Sequence, residues 1–138
     1  VPAGDRVTVL EFDVDDMTGE EIATAAARLR ALPGVLDLAT LAGTGKKGRP
    51  LTLFRLLARP ERAEAVAAAC FIETATLGLR LRDEARRCLP REAGEAAGLP
   101  VKRARRPDGT VTAKAEADAL ANGGSLAARR ARAREAEE

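Results

Sequence analysis

The sequence predicts an α+β fold of the ferredoxin-like kind, a βαββαβ antiparallel sheet with two helices on one face. Three observations predict it. Strand-patterned and helix-patterned runs follow one another in that order, a Gly/Lys-rich turn separates the middle two strand runs, and the texture of the chain changes near residue 90. The 138 residues therefore divide into a ferredoxin-like domain over 1–90 and a small C-terminal appendage of β-hairpin and helix over 91–138.

Val7 to Val14 alternates, with Val7 and Val9 set against Leu10 and Phe12, and it ends in acidic residues, as a strand that delivers carboxylates to its C-terminal end would. A helix follows. Thr18 and Glu21 have the spacing of a capping box, Met17 is placed to staple onto Ile22, and Pro33-Gly34 stops the helix. Val35 to Leu41 and Leu51 to Ala58 read as an antiparallel pair around the loop Gly43 to Pro50. Pro60 suits the first turn of a second helix, whose Ala63, Val66, Ala67, Cys70 and Phe71 share one face.

Leu77, Leu79 and Leu81 alternate with Gly78, Arg80 and Arg82, which predicts a fourth strand with one dry and one cationic face. Beyond it, Val101 to Arg106 and Val111 to Glu116 read as a hairpin around Pro107-Asp108-Gly109. Two helical stretches close the chain, Ala117 to Ala121 and Leu126 to Ala136, the second capped by Ser125. The last has hardly any apolar stripe, so it is expected to fray or to pack only on a neighbour.

Composition excludes several classes. The net charge of +2 is the difference of 23 cationic and 21 acidic residues, which is not the balance of a chain built to coat itself in polyanion. Only Phe12, Phe54 and Phe71 are aromatic, so the core rests on Leu, Val and Ala. Such a core is thin, and self-association would help it. Cys70 and Cys88 lack C-x-x-C spacing and the chain has no histidine, so neither a zinc site nor a disulfide framework is implied. No run is long enough to span a membrane and no export pattern is present, which makes the cytoplasm the expected compartment. The chain begins at Val1, as an excised domain or the downstream part of a longer protein would.

Three segments could carry chemistry. Asp15 and Asp16, with Asp13, Glu20 and Glu21 nearby, offer the oxygen ligands that Mg²⁺ or Mn²⁺ takes, although acidic residues also simply favour a helix N-terminus. Lys46, Lys47 and Arg49 sit among glycines that would let backbone amides approach a polyphosphate; a solvated hairpin loop has the same composition. Thr74, Thr76 and Arg80 put two hydroxyls and a guanidinium at a strand entrance, and Arg80 with Arg82 needs an anionic partner or water. Basic residues at 102–106 and 129–134 suggest nucleic acid, but no aromatic pair or RNA-binding motif supports it.

In this order, Val14-Asp15-Asp16-Met17-Thr18-Gly19-Glu20, Lys46-Lys47-Gly48-Arg49-Pro50 and Glu73-Thr74-Ala75-Thr76-Leu77-Gly78-Leu79-Arg80 resemble the C-terminal domain of the nickel-pincer cofactor cyclometallases. The resemblance covers about Val7 to Arg91, with an echo in Val111 to Glu116; Gly45 departs from it, standing where a methionine usually precedes the lysine pair. It implies a CTP-dependent enzyme that inserts Ni²⁺, its substrate, into pyridinium-3,5-bisthiocarboxylic acid mononucleotide for lactate racemase. It further implies CTP with Mn²⁺ or Mg²⁺ in this domain, an N-terminal half of the same enzyme that shares the nickel chemistry, and a homo-oligomer, trimer or hexamer. By that resemblance Asp15 and Asp16 hold the metal, and Lys46, Lys47, Arg49, Thr74, Thr76 and Arg80 hold the nucleotide. A non-catalytic nucleotide-responsive assembly module is the alternative, and a nucleic-acid-binding domain a more distant one.

Overall fold

The computed structural model describes residues 3–138; Val1 and Pro2 lie outside the described residues. The chain forms two compact units, one of Asp5–Arg86 and one built chiefly of Arg87–Glu138. The first is ferredoxin-like. Its strands are β1 (Ala3–Val14), β2 (Val35–Thr44), β3 (Pro50–Ala58) and β4 (Arg80–Cys88), in the order β2-β3-β1-β4, with helices α1 (Gly19–Arg30) and α2 (Ala63–Glu73) between them.

Local chemistry sets each boundary. The Thr18 side chain accepts from the Glu21 amide at 3.2 Å while the Glu21 carboxylate accepts from the Thr18 amide at 2.8 Å, so both halves of the capping box close. After α1, Gly34 takes φ +85° and its carbonyl accepts from the Arg59 amide at 2.9 Å. A side chain there would collide with Arg62, so the turn needs glycine twice over. Pro60 opens a short 3₁₀ turn that leads into α2.

β1 and β2 both pair antiparallel with β3. Leu10, Phe12 and Val14 share one face of β1 and meet Phe54 and Leu56 of β3, Ala25 and Leu29 of α1, and Val66, Ala67 and Cys70 of α2. Phe12 lies opposite Phe54 in the ladder, and the rings stack with centroids 4.9 Å apart. Cys70 is fully buried there, and burial pushes its thiol up to about 11. Phe71 does not join this core: it is 47% exposed, since Cys70 already occupies the inward position at the end of α2.

Two expectations need correction here. The fourth strand begins at Arg80, not Leu77, and runs to Cys88. Of its expected dry face Leu79 alone packs against the core, while Leu77 is fully exposed and Leu81 nearly half exposed. The second unit is also more than a hairpin, because β5 (Arg91–Ala96) joins β6 (Leu99–Arg105) and β7 (Val111–Ala115) in a three-stranded antiparallel sheet.

A short helix, α3 (Ala117–Leu120), precedes α4 (Leu126–Glu137), whose N-cap Ser125 accepts from the Ala128 amide at 3.1 Å. Far from fraying, α4 lays Ala133 and Ala136 on Leu99, Val101 and Ala115. Alanine's small side chain lets helix and sheet approach closely, so a stripe too weak to read by hydrophobicity still makes a core.

Candidate functional site

In the sheet register Val14 pairs with Thr52 and Thr44 with Pro50, so the acidic turn after β1 and the loop between β2 and β3 leave the sheet at the same end. Arg80 approaches Glu11 and Asp13, each at 3.8 Å, whereas Arg86 reaches Asp5 at 2.8 Å. β4 therefore runs counter to β1, and its start lies at that end as well. Topology alone thus gathers the three segments at one end of the sheet.

The two aspartates open on different hollows. Asp15 lines one of about 390 Å³ with Gly43, Pro50 and Leu51 at the root of the hairpin. Asp16 lines another of about 530 Å³ with Glu20, Thr24, Glu73 and Thr74. Met17 belongs to both. Glu21 is committed elsewhere: its hydrogen bond from the Thr18 backbone holds the carboxyl below its usual range. Glu73 pairs with Arg28 at 2.7 Å.

The hairpin loop is a closed turn. The Gly45 amide donates to the Arg49 carbonyl at 2.8 Å and the Arg49 amide to the Lys46 carbonyl at 3.2 Å, while Lys47 and Gly48 both take positive φ. The expectation that its glycines free amides for a ligand needs revision. Side chains at Gly43 and Gly45 would press on Leu51, so these two glycines serve packing. Lys46, Lys47 and Arg49 are exposed, and none forms an ion pair among the described residues.

Thr74 and Thr76 stand in a turn and not in the strand. The Thr74 hydroxyl donates to the Cys70 carbonyl at 2.8 Å and caps the end of α2; the Thr76 hydroxyl donates to the Gly78 carbonyl at 2.7 Å. Thr74 shares the hollow with Asp16, but neither hollow includes Thr76, Arg80 or the loop cations. The anion that the arginine pair requires is Glu11, which accepts from Arg82 at 2.9 Å and lies 3.8 Å from Arg80. Sequence reasoning passed over Glu11; its signal was a carboxylate between Leu10 and Phe12, on the polar face of the strand with Asp13.

Among the described residues no group of three His, Cys, Asp or Glu is placed to hold a metal ion. Asp15 and Asp16 remain exposed and without an ion pair among the described residues, as does Glu20, with uncommitted cations beyond them. That donor set fits a hard divalent ion completed by water and phosphate oxygens, since Mg²⁺ is commonly held by only one or two carboxylates.

Comparison with known proteins decides the family. The family described as nickel insertion protein matches residues 2–130. This chain belongs to the nickel insertion protein family. Two relatives named for nickel insertion illustrate the likeness. That of Rhodopirellula baltica is 36% identical over 121 residues, 83% of this chain and 30% of that protein. That of Synechococcus elongatus is 39% identical over 87 residues, 63% of this chain and 21% of that protein. The chain thus spans less than a third of the length of these nickel insertion proteins.

Among solved structures, the chain is similar to the apo C-terminal domain of a cyclometallase involved in the synthesis of the NPN cofactor of lactate racemase. The TM-score is 0.79 at 25% identity, covering 86% of this chain and 84% of that one. A Methanopyrus kandleri protein shares the fold, with a TM-score of 0.69 at 24% identity over 97% of this chain and 88% of that one. The resemblance read from the three motifs is borne out, as is the α+β, ferredoxin-like class. Among the described residues no helix is long and apolar enough to cross a membrane.

Proposed function

We propose that this chain is the CTP- and divalent-cation-binding C-terminal part of a nickel-inserting cyclometallase, acting with an N-terminal part on a pyridinium-3,5-bisthiocarboxylic acid mononucleotide. The observation that carries the reading is electrostatic. Lys46, Lys47 and Arg49 lie free of ion pairs at the sheet end where Asp15 and Asp16 are exposed. A triphosphate placed there is neutralised from two sides, by loop cations and by a Mn²⁺ or Mg²⁺ ion that Asp15 and Asp16 would hold. Bound, that ion offsets phosphate charge.

Arg80 has a distinct role in this reading. Its contacts to Glu11 and Asp13 are both long, at 3.8 Å, so a phosphate oxygen can replace them at little cost, whereas Arg82 stays on Glu11 at 2.9 Å. Thr74 and Thr76 shape the turn beside it. In this reading the N-terminal part shares the handling of the nickel substrate.

Calorimetry with CTP, ATP and a short RNA, each with and without Mn²⁺, tests this proposal. Metal-dependent binding selective for CTP is expected. RNA binding that weakens steeply with salt, in place of CTP binding, would refute it. Release of CMP and pyrophosphate would assign turnover to this chain, and binding without release would leave it a nucleotide-responsive assembly module.

A further inference from the structure

The second unit holds a cleft that the nucleotide reading does not use. Leu99, Val101, Arg103 and Arg105 alternate onto one face of β6, and α4 covers only the first two. Beyond the part of this face that α4 covers, Arg103, Arg105, Glu92, Pro90 and Val111 line an open hollow of about 220 Å³.

In Asp5–Arg86 five arginines, Arg28, Arg30, Arg80, Arg82 and Arg86, meet carboxylates, and the arginines of this cleft do not, as the cations of the β2–β3 loop do not. Arg103 is held by a neutral group: it donates to the Glu95 carbonyl at 3.2 Å and lies over Gly94, where any side chain would collide with its guanidinium. The fork is fixed in place while its charge stays uncompensated. Glu92 stands directly opposite Arg103 in the ladder, yet neither Arg103 nor Arg105 forms an ion pair among the described residues. The Arg105 amide donates to the Pro90 carbonyl at 3.1 Å, which ties down the apolar rim. By contrast Lys102, on the other face, lies 3.7 Å from Glu116.

The Arg105 fork and the N–H groups that Arg103 does not spend on the Glu95 carbonyl suit one phosphate dianion, and a free carboxylate beside them suits a hydroxyl donor on the same ligand. The volume is below the roughly 300–1,000 Å³ of sites for drug-sized ligands, so the ligand is small. We infer that this cleft binds a small hydroxylated phosphate monoester, a sugar phosphate by chemical class, with Arg103 and Arg105 on the phosphate and Glu92 on a hydroxyl.

Titrating the full chain calorimetrically with ribose 5-phosphate, inorganic phosphate and ribose tests this. Ribose 5-phosphate is expected to bind saturably and more tightly than phosphate, with ribose giving no heat of binding. Arg105→Ala should weaken the sugar phosphate roughly tenfold or more. Arg105→Lys, which keeps the charge and loses the fork, should fall between. Glu92→Gln should bring the sugar phosphate towards the affinity of phosphate. The double variant Lys46→Ala, Lys47→Ala should change nothing here, which separates this cleft from the proposed CTP site. No saturable binding, equal binding of phosphate and ribose 5-phosphate, no effect of Arg105→Ala, or loss in the lysine variant would each overturn the inference.

Discussion

Arg82 of β4 donates to Glu11 of β1 at 2.9 Å, an ion pair between residues 71 positions apart that ties the last strand of the ferredoxin-like unit to its first. The Glu11 side chain is only 17% exposed, so this contact is better shielded than the other arginine pairs of the sheet. Its titration therefore matters. Hydrogen bonding from Arg82 holds the Glu11 carboxyl below its ordinary 4.5, aided by the charges of Arg82, Arg80 and Arg55 and opposed by burial.

A depressed carboxylate pKa in the folded state means that the unfolded chain takes up the proton first. The stabilisation is therefore complete above pH 4.5 and is lost as pH falls through the lower, folded-state value. Thermal denaturation across that window should show Glu11→Gln losing up to about 1 kcal/mol at neutral pH and little at strongly acid pH. Asp5, depressed in the same direction by Arg86, keeps some acid slope in the variant. Parallel curves for the two proteins at every pH would refute the assignment.

Lys47 adopts φ 58°, a conformation that costs a side chain roughly 1 kcal/mol and costs glycine nothing. Lys47→Gly therefore removes a charge while relieving the turn. Combined with Lys46→Ala, it should leave the melting temperature unchanged or slightly raised and weaken Mn²⁺-CTP binding roughly tenfold or more. A fall in melting temperature with unchanged affinity would make the loop structural.

Asp15 and Asp16 open on separate hollows, so each is tested by its own substitution. If a divalent ion bridges these carboxylates to phosphate, Asp15→Asn and Asp16→Asn should each weaken CTP binding in Mn²⁺ and leave metal-free binding little changed. Calorimetry with and without a chelator measures the split. Equal losses in both conditions would mean that neither carboxylate holds the ion.

How legible all this was depends on the length scale of each signal. The capping box, the stop at Pro33-Gly34 and the antiparallel pairing of β2 with β3 could be read because each rests on neighbouring residues. Leu77 misled because period-two alternation is also what a turn can show over five residues, and the Thr74 and Thr76 hydroxyls had already committed the backbone to turning. Glu11 was hidden because its partners lie some 70 residues away. The packing of α4 was hidden because alanine carries almost no hydrophobic signal, and a close fit replaces it. Convergence of the three motif segments at one sheet end, by contrast, follows from the βαββαβ order itself.

The core should be intolerant of truncation. Phe12 and Phe54 are two of the chain's three aromatic residues, they stack, and each is no more than 1% exposed. Phe54→Ala removes the ring and strands its partner beside a cavity, at a cost of about 3–5 kcal/mol. Against the ~5–15 kcal/mol typical of whole domains, that should lower the unfolding midpoint in urea sharply, and Phe54→Leu should do so much less. Similar midpoints for both variants would show that the stack contributes little.

The strand missed in the second unit offers the converse test. β5 and β6 are joined by Ala97 and Gly98, with φ of 51° and 75°, the paired positive values of a tight two-residue hairpin. Glycine meets that demand at Gly98, but Ala97 places a Cβ where left-handed backbone disfavours one, which is also why the turn did not announce itself. Ala97→Gly removes this strain at the cost of a more flexible unfolded chain, and Ala97→Asn removes most of it without that cost. Asparagine should therefore stabilise the unit by about 0.5–1 kcal/mol and outperform glycine. Hydrogen exchange at the ladder amides of β5 and β6 reads this locally: slower exchange is expected in Ala97→Asn, and Ala97→Val, β-branched at a positive φ, should speed it. If valine were tolerated as well as asparagine, the turn would not be the two-residue hairpin that the register requires.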